Sequence, residues 1–191
     1  MDINEPLHGQ IHLWMIAVII VLGYIAVVGN MYWAKRHVRD QRGTRIILSF
    51  ILLCYSVVYA YLTFFYRIPM GEAHVRFEPF WSYKEAFDGL SIRRLGVARS
   101  IVLNIAMMIP LGYLLPTIYR ASLHPYVFSF LTVAIVSILT ETIQYITFTG
   151  LCELDDLVNN ILGALIGIVG NLLAYRLING SRKSIISGRK Q

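Results

Sequence analysis

Five stretches of this chain are each apolar over roughly the ~20 residues that a bilayer core demands, and this pattern constrains the fold more than any other feature. They run from Ile11 to Tyr32, Ile46 to Tyr66, Ile101 to Tyr119, Tyr126 to Phe148 and Leu157 to Leu177. Backbone amides find no water in lipid, so a spanning segment must be a helix or a strand of a closed barrel. None of the five alternates apolar and polar residues with period two, which argues against the barrel. Hydrophobic residues form 57% of the chain and charged residues 15%, a balance too apolar for a soluble domain. The expected fold is all-α: a polytopic membrane protein of five transmembrane helices in one domain over 1–191, with an outer loop, Arg67 to Ser100, between the second and third. Asp2 and Glu5 precede the first stretch without Lys or Arg. A secretory signal needs a basic start, so this stretch reads as a retained helix.

Basic residues set the orientation. Lys35, Arg36, Arg39, Arg42 and Arg45 follow the first stretch, Arg120 follows the third, and Arg176, Arg182, Lys183, Arg189 and Lys190 follow or end the fifth. Lys and Arg favour the cytoplasmic side, which places the N-terminus outside a plasma membrane and the C-terminus inside. The connection Arg67 to Ser100 dissents with six basic residues, mixed with Glu72, Glu78, Glu85 and Asp88. A net charge of +6 is explained by topology and anionic headgroups, with no nucleic-acid partner. Cys54 lies mid-span and Cys152 in an outer turn, depths too different for an easy disulfide.

The stretch Thr140 to Gly163, TETIQYITFTGLCELDDLVNNILG, breaks the apolar pattern. Glu141, Gln144, Asp155, Asp156, Asn159 and Asn160 are costly at membrane depth, which makes each a site candidate. On this topology the fourth helix runs outward. Glu141 and Gln144, three apart, share a face near its end. The fifth helix starts outside, with Asp156 and Asn160 on one face of its first turns, where an acidic group is favoured. Asn104 on the third helix lies at a similar depth. Three helices thus contribute to one polar layer in the outer leaflet.

Structural readings stand beside these. Asn160, Gly163, Gly167 and Gly170 have the spacing of a close-packed helix stripe, and Gln144 could be only an interhelical hydrogen-bond partner. Pro110 and Gly112 most simply kink the third helix and leave the Ala106 carbonyl unpaired, and both count with Gly163, Gly167 and Gly170 as helix-packing positions. Glu153 and Asp155 read as a solvated turn. Glu141 is hardest to dismiss, because an acid in lipid needs a partner, a proton or water. Before the third helix, RFEPFWSYKEAF groups Phe77, Phe80, Trp81 and Tyr83 around Pro79, rings that favour the headgroup layer. Arg76, Arg93, Arg94 and Arg99 are candidates for phosphate or headgroup contact; an ordinary loop pairing with Glu85 or Asp88 explains them equally well.

Taken in order, EPFWSY, NIAMMIPLG, TETIQ and GLCELDDLVNNILGALIG resemble the VanZ-like family of bacterial membrane proteins, over Arg76 to Gly170. The family pattern falls on Pro79, Phe80, Asn104, Pro110, Gly112, Glu141, Gln144, Asp156, Asn160 and Gly163. Many members carry an arginine shortly after the Glu and Gln helix, where this chain reads FTG with Thr149; Arg76 or Arg93 would have to take that part. The resemblance implies resistance to teicoplanin-like lipoglycopeptides, glycopeptides whose acyl tail gathers them at the outer leaflet of the Gram-positive cell envelope. It implies no established chemical mechanism.

Three functions compete. A non-catalytic surface factor would bind lipid, a lipid-linked cell-wall precursor or the antibiotic, and Glu141 would organise helices by hydrogen bonding. An intramembrane enzyme would use Glu141 and Asp156 as acid and base on a lipid or lipid-linked precursor. No G-x-S-x-G or H-E-x-x-H motif supports it, and Glu153, Asp155 and Asp156 lack metal-loop spacing. A small transporter would need a midplane site and a repeat, whereas here the polar layer is displaced outward. The reading includes no cofactor and no metal. His8 and His12 read as interfacial.

Overall fold

The computed structural model describes residues 41–65, 75–87, 92–150 and 152–188. The expected first helix, Ile11 to Tyr32, lies outside the described residues, as do His8 and His12. Helix α1 (Gln41–Ala60) opens into a π-helical turn, Tyr61–Phe65. Strand β1 (Val75–Arg76) and the short helix α2 (Trp81–Phe87) follow. Helix α3 (Ile92–Ile118) tightens into a 3-10 turn, Tyr119–Ala121. Then come α4 (Pro125–Ile146), β2 (Cys152–Glu153) and α5 (Leu154–Gly188).

Four segments, Arg45–Phe65, Leu95–Ala121, Pro125–Ile146 and Leu154–Leu177, are long and apolar enough to cross a membrane. The chain is therefore an all-α polytopic membrane protein. Its outward faces suit lipid: Phe50, Leu53, Val57, Ile135, Ile138, Ile166, Val169 and Leu173 are all exposed. Helices α3 and α5 outrun their apolar stretches. The third helix begins at Ile92 rather than Ile101, because arginine favours a helix nearly as well as leucine does and hydropathy marks only the lipid-facing part. Part of the expected loop is likewise folded. Val75 pairs with Cys152 and Arg76 with Glu153 in a two-residue parallel ladder, joining it to the start of α5.

Helix α3 packs most extensively on α5, and glycine makes that contact possible. A Cβ on Gly163 would strike the carbonyl of Ile105, one on Gly167 the carbonyl of Ile109, and one on Gly112 the carbonyl of Ala164. These successive neighbours show that the two helices run parallel. Gly112 thus belongs to the same close contact as Gly163 and Gly167, whereas Gly170 faces the Tyr113 ring at an ordinary distance of 3.5 Å.

Two prolines, Pro110 and Pro116, lie inside α3. A proline ring lacks the N–H and crowds the carbonyls of the preceding turn, which neighbouring side chains can then capture. Tyr55 Oη donates to the Met107 carbonyl at 2.6 Å, and Asn171 Nδ2 to the Tyr113 carbonyl at 2.7 Å. Each acceptor lies three residues before a proline. Tyr55, Tyr59, Met107, Met108, Leu111, Val133 and Ala164 form the apolar core around this helix.

Candidate functional site: a buried polar cavity and its covering segment

Helices α4 and α5 meet through Asn160 Nδ2, which donates to Ser137 Oγ at 2.9 Å. One turn along each antiparallel helix, toward the end of α4 and the start of α5, the same faces carry Glu141 and Asp156. Both line a cavity of about 10 Å³, together with Tyr59, Thr63, Asn104, Met107, Thr140, Gln144 and Asn160. That is room for roughly one water molecule. All four long helical segments contribute, with Thr63 supplied by the π-helical turn, whose wider winding often marks functional positions.

The cavity walls are polar and tightly held. Glu141 is 7% exposed, and its Oε2 accepts the Glu153 N–H at 3.4 Å. Tyr59 Oη and Thr140 Oγ1 share a hydrogen bond of 2.9 Å. Thr63 Oγ1, Asn104 Nδ2 and Gln144 Oε1 are buried without a hydrogen-bond partner. A buried polar group without a partner is costly, so the cavity suits a water or another small polar group that can satisfy several atoms at once.

Beyond Gln144 the chain reverses sharply. Thr149 N–H returns to the Gln144 carbonyl at 3.0 Å and Phe148 N–H to the Tyr145 carbonyl at 3.4 Å, with Phe148 at φ 56°. This is the left-handed helix ending usually made by glycine. It ends α4 next to Gln144 and brings β2 back across Glu141.

A second polar group holds the segment 75–87 against this end. Asp155, 1% exposed, accepts the Phe80 N–H at 2.7 Å through Oδ1, and the Ser82 N–H and Oγ–H at 2.9 and 2.6 Å through Oδ2. The Tyr83 hydroxyl donates to Asn159 Oδ1. Burial, and then the Asp155 charge, push the Tyr83 phenol up, so it stays a donor. Phe80 adopts φ 61° to make its bond, a conformation costing about 1 to 2 kcal/mol outside glycine. The carboxylate compensates for that strain. The solvated turn expected at Glu153 and Asp155 is therefore a buried junction, because the covering segment supplies donors that no local pattern reveals.

Of the expected site residues, Asn104, Glu141, Gln144, Asp156 and Asn160 come together in the cavity, while Asp155 serves the adjoining latch. Tyr59, Thr63 and Thr140 complete the lining and were missed. Tyr59 and Thr63 lie four apart on one face of an apolar segment, a signal that could have found them. Arg76 stacks on the Trp81 ring, 4.0 Å from its centre, rather than reaching Glu141 or Asp156. Arg93 and Arg94 fall in the first turn of α3, with side chains outside the described residues. Arg99 is half-buried.

The chemistry available is limited. Cys54 and Cys152 are both free thiols. Burial, then Glu141, Asp156 and Glu153, push the Cys152 thiol up, so it is a poor nucleophile. Among the described residues, no group of three or more His, Cys, Asp or Glu side chains gathers as a metal site.

Apolar helices around a buried acidic and amide cavity define the class as a multi-pass membrane protein. The VanZ/LLP1 family pattern matches residues 15–178. The chain belongs to the VanZ/LLP1 family, and the match reaches well beyond the Arg76 to Gly170 region that carries its legible motifs. No curated protein and no solved structure matches it.

Proposed function

We propose that this protein is a non-catalytic factor of the bacterial plasma membrane. In this reading its polar cavity faces the outer leaflet, and it limits access of teicoplanin-like lipoglycopeptides to lipid-linked cell-wall precursors. The observation that supports the non-catalytic part is the small size of the cavity that Glu141 and Asp156 line, with room for about one water. A general acid or base must come within hydrogen-bond reach of its substrate, and so small a cavity argues against a bound headgroup. Glu141 then orders the helix ends and the return of β2. The outward placement rests on the basic residues around Lys35, at Arg120 and after Arg176. Exposed Phe77, Phe80 and Phe87 on the covering segment suit the headgroup layer.

An intramembrane enzyme acting on a lipid or lipid-linked precursor is the second reading. One observation favours it: the α4–α5 register sets two carboxyl side chains opposite each other in the same cavity. The two are separated by teicoplanin and vancomycin susceptibility of a sensitive Gram-positive host expressing wild type, Glu141→Gln or Glu141→Ala at matched membrane abundance. Selective teicoplanin protection by wild type, retained in Glu141→Gln, is the expected result. Loss of protection in both variants would favour ion pairing or acid–base chemistry, and no protection by wild type would remove the resistance reading.

A further inference from the structure

We infer that Arg99 forms a site for a phosphate-type oxyanion, supplied by the headgroup of an anionic phospholipid, at the end of the bundle that α2 covers. Arg99 Nε and Nη2 are buried and have no hydrogen-bond partner. These two nitrogens share one edge of the guanidinium, with near-parallel N–H bonds. That edge grips two oxygens of a phosphate or carboxylate at once. A guanidinium does not give up its proton in a protein. Burial of this edge without a partner therefore leaves two strong donors unmet, which is unfavourable until an acceptor arrives.

The depth fits a lipid phosphate. Arg99 lies four residues past Leu95, the first residue of the Leu95–Ala121 span, or about 6 Å at 1.5 Å per residue. That depth lies within the length of an arginine stem from the headgroup layer. The lateral position follows from helix register. Ile105 of α3 lies beside Gly163 of the parallel α5, so Arg99 lies level with Leu157, close to the Asp155 and Asn159 bonds that hold α2.

Neighbouring groups add donors. Among the described residues, Trp81 Nε1 and Asn159 Nδ2 are, like the two Arg99 nitrogens, buried N–H donors without a partner, while Gln144 Oε1 is an unpartnered acceptor toward the same end. Arg76 adds a second cation over Trp81. Asp155 is engaged with three donors and Glu78 with Lys84 at 3.3 Å. The unmet two-pronged edge of a guanidinium takes an anion, and in the headgroup layer the abundant two-oxygen anion is lipid phosphate. This holds whichever side of the membrane the end faces and whether or not the protein protects against an antibiotic.

The test is lipid retention by the purified full chain, read by native mass spectrometry together with melting temperature. Dioleoyl phosphatidylglycerol is compared with dioleoylglycerol, which has the same chains and no phosphate, and with inorganic phosphate. Wild type should retain the phosphatidylglycerol and not the diacylglycerol. Arg99→Gln should weaken that retention by about tenfold or more, as expected for lost hydrogen bonds to a charged group. Arg99→Lys, which keeps the charge without the two-pronged edge, should fall between, and Lys84→Gln should match wild type. Equal retention of the two lipids by wild type, or undiminished retention by Arg99→Gln, overturns the site. Stabilisation by inorganic phosphate with no lipid retained overturns the lipid source. If Arg99→Gln does not fold, the wild-type lipid comparison and Arg99→Lys decide the matter.

Discussion

Replacing Asp155 with alanine should release the covering segment while leaving the helix bundle folded. One carboxylate takes three donors between 2.6 and 2.9 Å, and each hydrogen bond to a charged group contributes about 1.5 to 3 kcal/mol. The three are not independent, and two of the freed groups can turn to water once the segment lifts. A loss of about 3 to 5 kcal/mol is therefore expected, the range for removing one member of a buried charged group. Asp155→Asn should lose nearly as much. Its amide offers one oxygen and one NH2, so in either orientation a donor confronts a donor. At 1.4 kcal/mol per tenfold, the open population of residues 75–87 should rise about 100-fold or more. Hydrogen–deuterium exchange of the purified protein would show this as faster exchange in peptides covering 75–87, with the peptides of α3 and α5 unchanged. Exchange of 75–87 within about twofold of wild type in Asp155→Ala would refute the latch.

Other consequences follow from the packing and the thiol. Gly163→Val should abolish the close α3–α5 contact and prevent accumulation in the membrane, whereas Gly170→Ala, next to a ring at 3.5 Å, should accumulate nearly as wild type; immunoblots of membrane fractions compare the two. Tyr55→Phe leaves the Met107 carbonyl without its tyrosine donor and should cost about 1 to 3 kcal/mol, read as a lower unfolding midpoint in detergent. Cys152 has its thiol raised by burial and by the charges of Glu141, Asp156 and Glu153; a raised thiol holds less thiolate at a given pH. Its alkylation should therefore lag behind that of a free thiol at neutral pH and accelerate in Glu141→Gln, and an unchanged rate in that variant would contradict the electrostatic cause.

Much of this arrangement could be read from the chain, for identifiable reasons. A polar residue inside an apolar run stands out against its background, which is why Asn104, Glu141, Gln144, Asp156 and Asn160 were legible and why their helical spacing placed them together. Tyr59 and Thr140 were harder to read, because a tyrosine or threonine in a spanning helix is ordinary until its partner is known. Asp155 was a site candidate with a solvated turn as its alternative, and its latch could not be foreseen because its three donors come from residues 80 and 82, far away in sequence. The close approach of Gly112 to Ala164 is likewise a property of two helices together. Gly112 stood among the expected packing residues with Pro110, Gly163, Gly167 and Gly170, but the neighbour it would meet could not be read locally.

The most direct test of an outward-facing polar site is its side of the membrane. In a chain with Cys54→Ala and Cys152→Ala, single cysteines would replace Lys84 on the covering segment and Leu123 between α3 and α4, both exposed. A membrane-impermeant maleimide should label Lys84→Cys in intact cells and Leu123→Cys only after permeabilisation. The reverse pattern would turn the cavity and its covering segment toward the cytoplasm and contradict a role at the outer leaflet.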